Sequence, residues 1–494
     1  RRLTLARARI AISGGRLREA EELLDSADQT RGDLTHPVEE VDEDPSGPLD
    51  DLGPTTDLLR AYVAHMRGDA QTAIDIAARA ATEVGEGSIT GLIARWHLAA
   101  GPWLRGDVIE AEPALAANAT DWRNVGQYDR AALSANRLGR VHRARGNLDA
   151  ALESYEQILD QDAAHTGPDA PAAGVAHVGI AEVAYERDDL DTALVHARLG
   201  ISMCGDFIYT QALAGGWSIL ARIEQAEGDP DAASNAMANA LQLTPVNDVA
   251  DLLNPVPAQM AQLSLAQGDL AAAERWSRAR ALPPDAPPRH QREPAELAQA
   301  RLMLARGEPS SALERLDPLR SLAAGQNRHG SVLEIDVLRA LALAAMGDTA
   351  AALDAVQVAT DLAAPSGYVR VFADEGEPMA DLLQQFRERP GDLDPVAGAR
   401  IDRLIEACQS GRGRTSAAPS PNDELVVPLT ERELEVLAQM IDGKPNKEIC
   451  AELFISLNTV KKHITHIFDK LGVRNRTEAT ARARQLELLA DDTG

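Results

Sequence analysis

Glycine, a polar residue and alanine recur in the same order along most of the chain. Eight copies begin with Gly and a polar residue, one begins with Asp, and each reaches an Ala a few residues later, as in GDAQTAIDI and GNLDAALESY. The first interval between copies is 53 residues and the later ones are 38 to 42 residues. A period of about forty residues is typical of stacked helical repeats. The nine copies begin at Gly15, Gly68, Gly106, Gly146, Asp188, Gly228, Gly268, Gly307 and Gly347.

Each copy reads as two helices joined at the glycine. The stretch LLRAYVAHMRGDAQTAIDIAARAA predicts a helix ending near Arg67, a turn at Gly68 and a second helix that carries Ala73. Glycine permits the left-handed turn, and the small alanine lets two helices approach closely. The Gly and Ala positions resemble those of tetratricopeptide repeats, although the usual period there is about 34. We predict an all-α chain with a tetratricopeptide-like superhelix over residues 1–365; HEAT-type or irregular helix pairs are the alternative.

Three segments do not follow the repeat. Residues 36–54, HPVEEVDEDPSGPLDDLGP, are acidic and rich in Pro and Gly, which predicts a solvated loop, with a regulatory acidic plug as the alternative. Residues 366–410 have a helical pattern and are interpreted as an extension of the array. Residues 411–424, GRGRTSAAPSPNDE, have the composition of a flexible linker.

Residues 425–494 are predicted to form a separate domain of four helices. Thr430 and Glu433 form a capping box at the first, Asn446 is the expected N-cap of the second, and Asn475 opens the fourth. The third helix lies in ISLNTVKKHITHIFDKLGV. Its apolar stripe predicts a buried face formed by Val460, Ile464, Ile467 and Leu471.

The second and third of these helices are separated by only a few residues, which is the spacing of a helix-turn-helix motif. Asn458, Lys461, Lys462 and Thr465 lie off the apolar stripe of the third helix, and Thr459 stands at its start. A helix N-terminus that carries such side chains suits the DNA major groove. A solvated surface helix with a short cationic face is the alternative.

Charge supports a local site and excludes a general one. The 494 residues carry a formal charge of −27, which argues against binding nucleic acid or anionic membrane over the whole surface. Residues 456–476 nevertheless hold five Lys and Arg against one Asp, a local charge of +4. The three cysteines form no CxxC pair, and no apolar run is long enough to cross a membrane. These features predict a cytoplasmic protein with reduced thiols.

The segment LTERELEVLAQMIDGKPNKEICAELFISLNTVKKHITHIFDKLGVRNRTEA resembles the DNA-binding domain of bacterial LuxR-type transcriptional regulators. Together with GYVRVFADEGEPMADLL and the repeats, it resembles the large ATP-dependent, maltose-activator-like subfamily. The resemblance implies that Asn446, Lys447, Ser456 and Thr459 contact the DNA backbone and that Lys461, Lys462 and Thr465 approach bases. It also implies a dimer contact in the last helix, at Ala479, Ala483 and Leu486. We count Thr430, Asn458 and His463 with the candidate DNA-binding residues.

The chain shows no catalytic constellation. It has no GxxxxGK[ST] loop, so we expect no ATP hydrolysis and no cofactor in this chain, with ATP bound only if a nucleotide-binding domain precedes it. The start RRLTLARARIAISGG, without Met, is interpreted as the inside of a helix whose upstream part is missing. His463 and His466 share a helix face, but without nearby Cys or carboxylates they do not form a metal site.

Two functions follow from these features. In the first, the chain is a transcriptional regulator whose repeats sense an inducer or protein partner and whose C-terminal domain binds double-stranded DNA as a homodimer. In the second, it is a scaffold that binds partner proteins through its repeats, with the C-terminal domain used only for dimerisation.

Overall fold

The computed structural model describes residues 2–32, 52–85, 88–163, 165, 167, 171–204, 210–244, 249–280, 287–389, 394–410, 431–441, 444–446, 449, 460, 464, 467, 473 and 475–486. Arg1–Arg412 form one compact unit and Gly413–Gly494 a second. The prediction of an all-α chain is confirmed, since the described residues contain helices and no strand. None of the described helices is long and apolar enough to cross a membrane.

The first unit begins with nine helix pairs, in which each helix packs against its successor. Their bounds are α1 Arg2–Ser13, α2 Leu17–Gly32, α3 Leu52–Met66, α4 Ala70–Glu83, α5 Ile89–Arg105, α6 Val108–Asn124, α7 Tyr128–Ala144, α8 Leu148–Gln157, α9 Pro171–Glu186, α10 Leu190–Met203, α11 Thr210–Glu227, α12 Pro230–Leu243, α13 Val256–Ala266, α14 Leu270–Arg280, α15 Glu293–Ala305, α16 Pro309–Gly325, α17 His329–Ala345 and α18 Thr349–Ala363. A π-helical turn, Ile158–Ala163, follows α8, and a 3-10 turn, His290–Arg292, precedes α15.

The repeated phrase forms the turn inside each pair. All nine predicted turn positions have positive φ, and Asp188, at φ 64°, takes the conformation that glycine has in the other eight copies. The Asp or Asn after the turn residue caps the second helix in seven pairs, as when Asp69 accepts a hydrogen bond from the Thr72 N–H at 3.1 Å. The alanine five residues after each turn residue is 0 % exposed in every copy. Turn, cap and close packing therefore come from one phrase of six residues.

The predicted loop at residues 36–54 is shorter than expected at its C-terminal end. Helix α3 begins at Leu52, so residues 52–54 belong to a helix. Pro54 is compatible with this assignment because the first turn of a helix leaves its N–H groups unpaired in any case. The other residues of this loop lie outside the described part of the chain.

Hydrogen bonds connect the turns of the second to fifth helix pairs to segments much later in the chain. The Ala250 N–H donates to the Met66 carbonyl at 2.8 Å, and Gln326 Nε2 donates to the Arg105 carbonyl at 2.7 Å. The Ser366 hydroxyl donates to the Gly146 carbonyl, and the Val369 N–H donates to the Glu186 carbonyl, both at 2.7 Å. These contacts hold the second half of the array against the turns of the first half. We call them the closing contacts.

The tightest closing contact is made by Gly330 in α17. A Cβ at this position would lie 2.2 Å from the Arg143 carbonyl oxygen and 3.2 Å from the Gly146 nitrogen. Both atoms are backbone, so neither can move aside without shifting the turn between α7 and α8. Glycine is required here by the close approach of two backbones.

Three further helices complete the first unit, with bounds α19 Arg370–Ala373, α20 Glu377–Arg387 and α21 Pro395–Ser410. They share the largest hydrophobic cluster with the array, since Phe372 and Leu404 pack together with Tyr155 and Val337. The Tyr185 hydroxyl donates to Asp374 at 2.9 Å, which joins α9 to α19. The predicted extension is helical and forms part of the same compact unit.

The second unit has a hydrophobic cluster of its own. Its described helices are α22 Glu431–Ile441 and α23 Arg476–Gln485. Val460 and Ile467 are 0 % exposed and Ile464 is partly buried, as predicted for the stripe of the third helix. The buried face of α22 is formed by Val436, Leu437 and Met440, while Ala438 and Ile441 are half-buried.

Replacing Gly330 by Ala is expected to destabilise the first unit by about 1–3 kcal/mol, because the added methyl group overpacks a contact between two backbones. Gly325→Ala is the matched control, since no heavy atom lies within 4 Å of a Cβ at that helical position. Urea unfolding followed by circular dichroism measures both. Equal midpoints for the two variants would contradict the closing contact at Gly330.

Candidate functional site

The described residues of the second unit fix the inner side of the candidate DNA-binding helix. Val460, Ile464 and Ile467 face the cluster that also contains Val436 and Met440. Of the predicted DNA-binding residues, only Asn446 is among those that the structure describes. The others lie outside the described residues: Thr430, Lys447, Ser456, Asn458, Thr459, Lys461, Lys462, His463 and Thr465.

Asn446 lies one position further into its helix than predicted. The Ile449 N–H donates to the Pro445 carbonyl at 3.2 Å, so Pro445 stands at the cap position and Asn446 is the first helical residue. Asn446 Oδ1 accepts a hydrogen bond from Arg476 Nη1 at 3.4 Å.

Arg476 connects three segments of the domain. Its Nη2 donates to the carbonyls of Met440 at 3.1 Å and Lys444 at 2.7 Å, and its Nη1 reaches Asn446. These contacts join the end of α22, the loop and the start of the second helix to the first residue of α23. Burial lowers the pKa of Arg476. Arg476 is one of the five basic residues that give residues 456–476 a local charge of +4, but its guanidinium bonds to groups of its own domain.

The fourth helix begins as predicted. Asn475 Oδ1 accepts a hydrogen bond from the Glu478 N–H at 2.9 Å, and Asn475 Nδ2 donates to Glu478 Oε1 at 2.7 Å. The side chains assigned to a dimer contact, however, lie on the inner face: Ala479 and Ala483 are 0 % and 1 % exposed and Leu486 is partly buried, all in the domain's own cluster. Ala479 and Ala483 are therefore covered within one chain, and a dimer contact through α23 would use its outer face, where Ala481 and Arg484 are exposed.

A second candidate site, which the sequence analysis did not identify, lies in the repeats. Tyr62, His65, Trp96, His97 and Arg137 form a group on α3, α5 and α7 that we call the inner cluster. The rings of His65 and Trp96 have centroids 5.0 Å apart, those of Trp96 and His97 are 4.9 Å apart, and those of Tyr62 and His97 are 5.9 Å apart. One sequence signal was available: His97 and Arg137 both stand nine residues before a turn glycine, Gly106 and Gly146.

The polar groups of the inner cluster are buried without partners. His65, His97 and Arg137 are 1 %, 2 % and 9 % exposed. Both ring nitrogens of His65, Nδ1 of His97 and Nη1 of Arg137 have no hydrogen-bond partner among the described residues. Burial lowers the pKa of His97 to about 3 and that of Arg137 to about 9, and burial together with the charge of Arg137 lowers the pKa of His65. Buried unpaired groups of this kind are characteristic of functional sites.

A pocket of about 590 Å³ lies between the turn at residues 67–71 and the segment at residues 288–291. Two of its arginines already have carboxylate partners. Arg67 Nη2 donates to Glu21 at 2.7 Å, and Arg105 Nη2 donates to Glu110 at 3.1 Å. The third arginine of its lining, Arg289, is exposed to solvent, whereas the unpaired polar groups of the inner cluster are buried.

Comparisons with known proteins identify both parts of the chain. Residues 55–389 match the MalT-like TPR region, and residues 427–483 match the luxR family of bacterial regulatory proteins. The HTH-type transcriptional regulator MalT of Serratia proteamaculans is 25 % identical over 98 % of this chain, and the chain spans 54 % of that protein's length. The crystal structure of a Rap protein complexed with competence and sporulation factor aligns with 82 % of this chain and 96 % of its own at 14 % identity, with a TM-score of 0.40.

The first match confirms the tetratricopeptide-like prediction over the HEAT-type alternative, and it runs past residue 365 to include α19 and α20. The second confirms the LuxR-type resemblance of the C-terminal domain. The chain belongs to the MalT-like, luxR-type transcriptional regulators, with a TPR-like helical repeat region followed by a C-terminal helix-turn-helix domain.

Proposed function

We propose that the chain binds double-stranded DNA through its third C-terminal helix and that a ligand or partner bound by the repeats controls this binding. The observation that carries the DNA-binding part is the burial of Val460, Ile464 and Ile467 on one side of that helix. A helix continued at about 100° per residue would place positions 458, 462 and 465 opposite these side chains and position 461 at the flank of that face. Lysine, asparagine and threonine are suited to phosphate and base contacts there.

Charge distribution supports the same proposal. Residues 425–494 contain ten Lys and Arg and eleven Asp and Glu, a net charge of −1, while the remaining residues carry −26. With Arg476 used inside the domain, the basic residues left in 456–476 are Lys461, Lys462, Lys470 and Arg474. The acidic repeats are repelled by phosphate, so DNA contact is restricted to the C-terminal domain.

Ligand control is proposed from the construction of the repeat unit. The closing contacts hold the first half of the array against the second half. The inner cluster places unpartnered polar groups on α3, α5 and α7 of the first half. A ligand that pairs these groups favours one arrangement of the unit over another. The helix-turn-helix domain belongs to a separate compact unit, which allows its availability to change without unfolding either unit.

Replacing both Lys461 and Lys462 by Ala is expected to weaken binding of the full chain to duplex DNA and to reduce the salt dependence of binding by about two phosphate contacts. The double replacement of Arg482 and Arg484 by Ala removes the same charge from α23 and is the matched control. Fluorescence anisotropy across a salt series measures both variants. Equal losses in the two variants would assign the effect to net charge, and an unchanged affinity in the lysine variant would favour the scaffold function.

Replacing Arg476 by Met is expected to destabilise the C-terminal domain by about 1–3 kcal/mol, because carbonyls that accept from a charged donor lose their partner. DNA affinity is expected to fall with it, since Asn446 loses the contact that orients its side chain. Arg484→Met removes an exposed charge from the same helix and is the control. Thermal unfolding and anisotropy are measured on the same samples. Retention of both stability and affinity in Arg476→Met would contradict the role of Arg476 in connecting the three segments.

The separated fragment 425–494 is expected to bind DNA more tightly than the full chain in the absence of ligand, because the −26 charge of the remainder opposes approach to the duplex. The comparison is made by anisotropy at several salt concentrations. If the fragment and the full chain bind equally, the repeats do not restrain the domain and the control proposal fails. If neither binds at low salt, DNA binding itself fails.

A further inference from the structure

Arg137 differs from the other arginines that point from α7 and from neighbouring helices into the first unit. Arg140 Nη2 donates to the Leu252 carbonyl at 3.1 Å, and Arg143 forms an ion pair with Glu182. The guanidinium groups of Arg222 and Arg370 lie over the ring of Tyr185 and also pair with Asp374. Arg137 is buried, with only 9 % of its surface exposed. Within the described part of the chain it nevertheless forms no ion pair, hydrogen bond or ring contact of these kinds.

The groups around Arg137 do not compensate its charge. Arg140 adds a second positive charge nearby, and His65 and His97 are kept neutral by burial. A buried cation that lacks both water and an anion is costly, and proteins normally pair it. A neutral histidine still offers one N–H donor, so the inner cluster presents several donors and one positive charge without an acceptor for them.

The same cluster also presents aromatic surface that solvent can reach. Tyr62 and Trp96 are half-buried, whereas the polar groups behind them are almost completely buried. Their rings pack edge to face, with centroids 6.0 Å apart. Apolar surface around a few convergent polar groups is the usual composition of a small-molecule site.

We infer that the inner cluster binds a small organic anion: the Arg137 guanidinium binds its carboxylate or phosphate group, and Trp96 and Tyr62 contact its apolar part. His65 and His97 donate hydrogen bonds to the same anionic group. A guanidinium matches the two oxygens of such a group with parallel hydrogen bonds. This inference rests on the proposed function, in which the repeats bind a ligand, and it names the chemical class of that ligand.

The test uses isothermal titration calorimetry of the full chain with sodium benzoate and with inorganic phosphate at constant ionic strength. The first probe represents a carboxylate on a ring and the second a free phosphate, so the two arms separate the sources of the anion. Benzyl alcohol, which has the ring without the charge, is the neutral control. Saturable binding of either anion, and weaker binding of benzyl alcohol than of benzoate, support the inference.

Arg137→Met is expected to weaken binding of the anionic probe by about ten- to a hundred-fold, which is the loss of one charge-assisted contact. Arg137→Lys keeps the charge but not the planar fork, so its affinity is expected to lie between wild type and Arg137→Met. Arg130 lies at the N-terminal end of the same helix, over the ring of Trp122. The variant Arg130→Met is therefore expected to bind the anionic probe like wild type.

Thermal unfolding without any anion distinguishes a binding role from a structural one. Since Arg137→Met removes an unpaired buried charge and keeps the aliphatic stem, its unfolding midpoint is expected to equal or exceed that of wild type. A clearly lower midpoint would reveal a protein partner for Arg137 and overturn the inference. Equal binding by Arg137→Met and wild type, or no saturable binding of either anion in the millimolar range, would overturn it as well.

DNA binding by the wild-type chain is measured separately. Failure of that assay removes the proposed function but leaves the calorimetric result for the inner cluster intact. Failure of the calorimetric assay, with DNA binding retained, removes the anion site alone.

Discussion

The repeat unit depends on hydrogen bonds that segments of its second half donate to backbone carbonyls in the turns of its first half. Turn carbonyls at Met66, Arg105, Gly146 and Glu186 each accept a hydrogen bond from a residue more than 180 positions later. These carbonyls lie at the ends of helices, where no intrahelical donor is available. The closing contacts therefore satisfy groups that every helix pair leaves unpaired, and they convert a linear stack of pairs into a closed unit.

The closed arrangement has a direct consequence for the side chains of α3, α5 and α7. Side chains on α3, α5 and α7 that an open groove would leave in water are instead buried, and their polar groups must find partners inside the unit. Arg143 does so with a carboxylate, that of Glu182. Arg137, His65 and His97 do not among the described residues, which is why the inner cluster is the strongest candidate for a ligand site in the repeats.

The helix-turn-helix domain uses for its own packing some residues that the sequence pattern had linked to DNA or dimer contacts. Among the described residues, eight buried side chains form a core that orients the helices of this domain, and Arg476 links the first, second and fourth of them through carbonyl and amide oxygens. Of the five basic residues in 456–476, Arg476 is used inside the domain, which leaves four for the proposed DNA contact. Ala479 and Ala483 illustrate the same point, because an alanine on a short helix can serve either the core of one chain or the contact between two.

The sequence by itself determined the helix pairs, their turns and caps, the buried alanines, the stripe of the third C-terminal helix and the cap at Asn475. All of these depend on interactions between residues within about five positions of each other, which the local pattern records directly. Only the tertiary structure decided the closing contacts, the requirement for glycine at Gly330, the internal use of Arg476, the inward orientation of Ala479 and Ala483, and the unpaired burial of Arg137. Their partners lie tens to hundreds of residues away along the chain, and no local pattern specifies which distant backbone or side chain a given residue will meet.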